Sequence, residues 1–204
     1  MILLAYLHRQ ERKRRQSTNA LKAAFIDLIL ESNDANAITV SEIADRADYN
    51  RSTFYFHYKD KQEILEDLFK DAIEGFRNAV TVTFSKVQSV NLDKVSPSTR
   101  LSFEHVENNK KLFKALHAIR KTDSLYERLE QLYIEMFTGN YHFSRRHDEP
   151  TIDQEMTVNY QIHAMIGIIK CWIQSDFKYS ASYMSEQITK VHVNRPTDMI
   201  YMQT

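Results

Sequence analysis

The sequence predicts an all-α protein in which a small N-terminal three-helix domain precedes a larger α-helical domain. Residues that interrupt helices are scarce, because only three Gly and three Pro occur among 204 residues, whereas 43% of the residues are hydrophobic. Apolar side chains also recur at helical spacing along most of the chain. A single Cys excludes an internal disulfide and favours a reducing compartment.

The first helix is predicted over 17–31, where the apolar positions recur every three or four residues: Leu21, Ala24, Phe25, Leu28 and Ile29. The second helix is short. It opens at a capping box in which Thr39 and Glu42 exchange hydrogen bonds between side chain and backbone.

A tight connection at 48–50 leads to a third short helix over 51–58. A second capping box at Asp60 and Glu63 then opens a long fourth helix. Two short helices joined by three residues have the layout of a helix-turn-helix DNA-binding domain, which we place at 17–62.

The third helix predicts a mixed surface. Phe54 and Tyr58 are four residues apart and should face the core, which leaves the other side chains outside: Arg51, Ser52, Thr53, Tyr55, Phe56 and His57. In a major groove, Arg can pair with guanine, hydroxyl and imidazole groups can bind phosphate, and apolar groups can contact the thymine methyl. The alternative is that these aromatic side chains pack against the second domain.

Basic residues crowd near the N-terminus, although the formal net charge of the chain is zero. Within seven residues the sequence places Arg9, Arg12, Lys13, Arg14 and Arg15. We predict a basic N-terminal arm over 1–16. Such a run can neutralise phosphates, and it can equally form a solvated tail or the start of a helix.

Two strings of residues carry a family resemblance. Thr39-Val-Ser-Glu-Ile-Ala-Asp-Arg-Ala47 and Arg51-Ser-Thr-Phe-Tyr-Phe-His-Tyr-Lys-Asp-Lys-Gln-Glu-Ile-Leu65 closely resemble the TetR/AcrR family of repressors. The resemblance implies a sequence-specific transcriptional regulator, a repressor released from a palindromic operator by a small-molecule effector. The alternative is a regulator whose C-terminal domain binds a protein partner and acts as a co-activator.

The resemblance also implies which residues contact DNA: Arg14, Thr39, Ser41, Tyr49, Arg51, Ser52, Thr53, Tyr55, Phe56, His57 and Lys61. Tyr55 and His57 would clamp the backbone, and Lys61 would add a phosphate contact at the start of the fourth helix. The basic arm would lie along the duplex, in or near its minor groove. One departure is the turn, where Asp48 stands in place of the usual Gly; Asp tolerates the left-handed backbone conformation at modest cost.

The remaining chain, 63–204, is predicted to form a regulatory and dimerisation domain. Its helices are expected at 98–108, 110–119, 123–138, 152–176 and 182–192, with connections over 89–99 and 139–151. The resemblance implies a homodimer through the last two helices, where small residues lie along one stripe: Ala164, Gly167 and Cys171. Candidate effector-binding residues are Phe103, His105, Phe137, Tyr160 and His163, which can equally fill the core.

No motif indicates an enzyme, a cofactor or a metal site, since Gly-rich phosphate loops, paired Cys ligands and nucleophile elbows are absent from the sequence. Cys171 is predicted to be an inert buried thiol, and His142 and His147 fit a polar loop better than a ligand set. No apolar run approaches the roughly 18–20 residues of a membrane span. We therefore expect a cytoplasmic protein without a membrane partner.

Overall fold

A computed structural model describes residues 2–32, 34–84, 94, 96–119, 124–137 and 153–194. These ranges contain no strand and form nine helices: α1 (Ile2–Ser32), α2 (Val40–Arg46), α3 (Arg51–His57), α4 (Lys61–Phe84), α5 (Pro97–Asn108), α6 (Lys110–Ala118), α7 (Leu125–Phe137), α8 (Gln154–Gln174) and α9 (Ala181–Val193). The all-α prediction is confirmed.

Most predicted helices agree with the observed ones to within two residues at either end. The start of the first helix was predicted wrongly, because α1 begins at Ile2 and not at residue 17. The basic run is therefore helical. The predicted connection at 139–151, with its two histidines, lies outside the described residues.

The chain divides into two compact units, Met1–Ala72 with Lys111–Gln131, and Ile73–Lys110 with Leu132–Thr204. In the first unit, α2 and α3 pack against α1 and against each other. Its centre consists of side chains that are at most 1% exposed: Leu21, Phe25, Ile29, Ile43, Ala44, Phe54, Ile64 and Leu68. Short helices such as α2 and α3 depend on this packing, because they are not stable in isolation.

The second unit packs α5 against α9. Its buried aromatic centre joins Phe103 to Trp172 at a ring-centroid distance of 5.3 Å and Trp172 to Phe177 at 5.1 Å. The Trp172 indole N–H donates to the carbonyl of Tyr179 at 2.9 Å, so its polar group is satisfied within the core. Among the described helices, none is long and apolar enough to cross a membrane.

Gly75 lies where His105 of α5 approaches α4. A Cβ at position 75 would collide with the His105 ring, which also contacts the ring of Phe76. We expect Gly75→Ala to lower the free energy of unfolding by about 1–3 kcal/mol. In a His105→Ala background the collision is gone, so the same change should raise it by about 1 kcal/mol through better helix propensity. Urea unfolding of the native chain, the two single variants and the double variant measures both changes in the free energy of unfolding. If Gly75→Ala changed it with the same sign in both backgrounds, the contact with His105 would be contradicted.

Candidate nucleic-acid interface

The start of α2 is held by the predicted capping box. Thr39 N–H donates to Glu42 Oε2 at 2.7 Å, and Glu42 N–H donates to Thr39 Oγ1 at 3.2 Å. The Thr39 hydroxyl in turn donates to the same carboxylate at 2.7 Å. Hydrogen bonds from the side chain and backbone of Thr39 lower the pKa of Glu42, against the effect of desolvation. The cap therefore fixes the first turn of α2 with a charged carboxylate.

The turn between α2 and α3 depends on Asp48. Its φ is 59°, in the left-handed region that glycine adopts most easily. The prediction that Asp tolerates this conformation is confirmed. Tyr49 N–H donates to the carbonyl of Ala44 at 2.9 Å, which closes the end of α2 before α3 begins.

The helix α3 has one buried and one exposed side. Phe54 is fully buried and Tyr58, which follows α3, is 5% exposed, so the predicted core-facing pair is confirmed. On the other side, Tyr55 is 50% exposed and Phe56 is 72% exposed. The Arg51 guanidinium lies over the Tyr55 ring at 5.8 Å and donates to its hydroxyl at 3.3 Å. Two exposed aromatic rings and a cation thus lie on the exposed surface of a seven-residue helix.

A small polar network fixes the end of α3 to the rest of the unit. Tyr58 donates to Asp67 Oδ2 at 2.8 Å, and Lys22 of α1 binds Asp67 and Asp71 of α4 at 2.7 Å each. Burial and the hydrogen bond to Asp67 raise the pKa of Tyr58. Burial opposes ionisation of Asp67, yet hydrogen bonds from Lys22 and Tyr58 lower its pKa overall. The network therefore holds a protonated tyrosine against a charged carboxylate.

His57, the last residue of α3, is half-buried against α1. Its Nε2 lies 2.7 Å from Ser17 Oγ, and its Nδ1 lies 3.3 Å from Thr18 Oγ1. The Ser17 hydroxyl also lies 3.1 Å from the carbonyls of Lys13 and Arg14, to which its single proton can be donated. Ser17 Oγ then accepts from Nε2–H, and Nδ1 accepts from the Thr18 hydroxyl. Burial and, secondarily, the charge of Arg14 lower the pKa of His57, which favours this neutral form.

Lys61, at the first turn of α4, is directed to the backbone. Its Nζ donates to the carbonyl of Asn36 at 2.7 Å and to that of Ile38 at 2.6 Å. These bonds hold the segment before α2 on the start of α4. A phosphate contact from Lys61 stays a prediction, and it would have to share this ammonium group.

The other predicted contact residues are also in the first unit. Arg14 and Ser52 are exposed, and Ser41, Thr53 and Tyr49 are half-buried. Sequence reasoning missed Ser17, which is buried. A signal was present, because Ser17 stands at the polar end of the stripe that continues through Leu21 and Ala24 in α1. A serine on a core-facing stripe needs a hydrogen-bond partner, and His57 is that partner.

The predicted effector-binding residues are in the second unit and do not form one group. His105 and Phe137 join a chain of rings through Phe76 and Tyr133, with successive centroids 6.4, 5.6 and 5.7 Å apart. Phe103 packs on Trp172 in the core described above. Tyr160 and His163 lie instead on the exposed side of α8. The predicted burial of Cys171 was wrong, because this thiol lies on the same exposed side.

A capped short helix, a left-handed turn and a second short helix with an exposed aromatic face define a helix-turn-helix DNA-binding protein. The model of bacterial regulatory proteins of the tetR family matches residues 29–68, and the model of a transcriptional regulator C-terminal region matches residues 93–193. Together the two matches cover more than half of the chain. The chain belongs to the TetR family of transcriptional regulators, whose members are DNA-binding proteins.

Individual relatives agree with this assignment. The chain is 24% identical over 161 residues to the HTH-type transcriptional regulator YxbF of Bacillus subtilis, which is 78% of this chain and 40% of that protein. The chain thus spans about two fifths of that relative's length. The fatty acid degradation regulator FadR from Bacillus halodurans has a TM-score of 0.63 at 15% identity, covering 90% of this chain and 97% of that one. FadR from Bacillus subtilis, in complex with stearoyl-CoA, has a TM-score of 0.53 at 17% identity, with coverages of 86% and 97%.

Proposed function

We propose that this chain is a repressor that binds a palindromic operator through α3 as a homodimer and releases it when a small molecule binds the second unit. The observation that carries the proposal is the outer face of α3, where Arg51, Tyr55 and Phe56 are exposed together. Phe54 and Tyr58 are buried in the core on the opposite side, so they fix the orientation of the exposed residues. Such a face fits guanine, phosphate and thymine methyl groups in a major groove.

Selection from a duplex library with a randomised centre tests the reading of DNA. The protein should enrich a two-fold symmetric motif with half-sites about one helical turn apart, 34–36 Å, because two copies of α3 would enter successive major grooves. The enriched DNA is called the selected duplex below. If the intact chain enriches no motif in this selection, the proposal is overturned.

The homodimer is proposed through the exposed side of α8. Exposed residues recur there at intervals of three or four and so share one face: Met156, Tyr160, His163, Gly167 and Cys171. Met156 is 73% exposed and Tyr160 is 67% exposed, which is a large apolar area for a helix in water. The small residues in the same stripe permit close approach of a second helix.

Gly167→Leu should break this dimer without unfolding the chain. A Cβ at position 167 meets no atom within 4 Å, so one copy has room for the larger side chain. Between two copies the leucine would keep the helices apart, and we expect the dimer dissociation constant to rise by about tenfold or more. Sedimentation equilibrium measures this constant. Asn78→Leu, at an exposed position of α4, is the matched control, and equal behaviour of the two variants would contradict the interface.

The effector is proposed to contact the ring chain of the second unit, in which His105, Phe76, Tyr133 and Phe137 follow one another. A ligand with an acyl or aromatic part suits contact with these rings. Stearoyl-CoA is the first compound to test, because the similar FadR structure from Bacillus subtilis contains it. Addition of an effector should dissociate the protein from the selected duplex. If a compound binds the chain but leaves its DNA affinity unchanged, the proposed release from the operator by that compound is contradicted.

A further inference from the structure

We propose that the N-terminal half of α1 is a second DNA-contacting element, which lies as a folded helix on the phosphate backbone beside the operator. This inference rests on the proposed function and extends it from the base pairs under α3 to the flanking DNA. The helix α1 runs without a break from Ile2 to Ser32. Residues 2–16 extend the helix beyond Ser17, and at about 1.5 Å per residue the cationic part, residues 9–15, spans about 9 Å, the length of roughly three base pairs.

Packing does not explain the segment of the helix from His8 to Gln16. Every side chain from His8 to Gln16 is exposed, and the buried stripe of α1 begins only at Ser17. Within the exposed segment five residues are basic, and Glu11 is the only acid: Arg9, Arg12, Lys13, Arg14 and Arg15. No ion pair to these five cations occurs within the described part of the chain.

The spacing of the cations makes the helix self-repelling. Arg9 and Arg12, like Arg12 and Arg15, are three residues apart, and Arg9 and Lys13 are four apart. Side chains at these intervals are neighbours on a helix surface, where like charges destabilise it. A bound polyanion removes this repulsion, and the proposed function places one polyanion, the operator DNA, on the same unit.

The projecting half begins beside the helix that reads DNA. Ser17 is hydrogen-bonded to His57, the last residue of α3, at 2.7 Å. Arg14 is close enough to His57 for its charge to affect the imidazole. Because both links lie within the first unit, the cationic helix keeps a fixed direction relative to Tyr55 and Phe56.

A folded helix restricts what this element can contact. With its side chains an α-helix is about 10–12 Å wide, whereas the minor groove of B-DNA is about 6 Å wide. The basic segment therefore cannot enter the minor groove as the resemblance implied, unless it unfolds. The phosphates remain within its reach, and phosphate contacts carry no direct sequence information. Its contribution should depend on the length of the flanking DNA and not on its base composition.

The test uses a triple variant that carries Arg9→Gln, Arg12→Gln and Arg15→Gln. Its charge-matched control lies in the second unit and carries Lys94→Gln, Lys178→Gln and Lys190→Gln. All six positions are exposed. The probes are the selected duplex trimmed to its motif, and the same motif with ten added base pairs on each side, either all A·T or all G·C. Fluorescence anisotropy over a salt series gives each dissociation constant and its salt dependence.

The native chain and the control should bind both extended duplexes about tenfold or more tighter than the trimmed one. The triple variant should lose this gain, and its slope of log affinity against log salt should fall by about 2–3. The inference would be overturned if the tighter binding required A·T flanks, or if added flanks of either kind left the affinity unchanged. It would also be overturned by a triple variant that keeps the affinity of the native chain for the extended duplexes.

The inference can fail while the proposed function holds. If Tyr55→Ala weakens binding to the trimmed duplex by about tenfold or more and flanks have no effect, α3 reads DNA and the basic helix does not contribute. If no motif is enriched, the proposed function and this inference fail together.

Discussion

Tyr55→Ala is expected to weaken binding to the selected duplex by about tenfold or more, equivalent to about 1.4 kcal/mol. The Tyr55 ring is 50% exposed and lies beside two neighbours on its own helix, Phe54 at 5.6 Å and the Arg51 guanidinium at 5.8 Å. Its removal takes away one group that we propose contacts DNA, and it also affects a second, because Arg51 loses its partner hydroxyl. Fluorescence anisotropy at fixed salt measures the affinity.

The fold should survive this substitution, since an exposed side chain leaves no cavity in the core. The melting temperature should therefore change little. Tyr179→Ala, at a tyrosine of the second unit that is 42% exposed, removes the same group away from α3 and should leave DNA affinity unchanged. Equal affinities for the native chain and Tyr55→Ala would contradict the proposed docking of α3.

His57→Ala and Ser17→Ala are each expected to weaken DNA binding by about tenfold, and the double variant should be no weaker than either single one. The reason is that both ring nitrogens of His57 are engaged by α1, Nε2 with Ser17 and Nδ1 with Thr18. The histidine then positions the outer face of α3 instead of binding phosphate directly. A double-mutant cycle in DNA affinity measures the coupling.

Salt dependence separates positioning from direct contact. Loss of a cationic phosphate contact should reduce the slope of log affinity against log salt by about 0.9, whereas loss of a positioning contact leaves it unchanged. We expect the native slope in both single variants. Ser182→Ala, at an exposed serine of α9, is the control. The opposite result would be that Ser17→Ala leaves DNA affinity unchanged while His57→Ala reduces the slope. It would show that His57 binds phosphate, as the family resemblance implies, and does so as an imidazolium.

Helix positions followed from the sequence wherever an apolar stripe was present. The predicted helix over 98–108 differs from the observed α5 by one residue at its start, and the one over 182–192 differs from α9 by one residue at each end, because both have a buried face with a regular spacing. The first half of α1 was missed for the same physical reason. Its described side chains are exposed all around, so hydrophobic periodicity cannot distinguish this helix from a solvated tail.

The anchoring of α3 was also predictable, since Phe54 and Tyr58 are separated by one helical turn. The partners of its polar residues were not. Ser17 and His57 are forty residues apart in the chain, and the carbonyls that bind Lys61 belong to the segment before α2. Such contacts are set by tertiary packing. Cys171 was placed in the core because its neighbours are apolar, but the helix turns this position outward.

The most direct measurement is an anisotropy titration of the purified chain against the intergenic DNA upstream of its own gene, with a scrambled duplex of equal length and composition as control. The account predicts tight binding to the native fragment alone, falling steeply as salt rises. It also predicts that Tyr55→Ala weakens this binding by about tenfold or more. Equal and weak binding to both fragments, unaffected by Tyr55→Ala, would contradict the reading of this upstream DNA by α3.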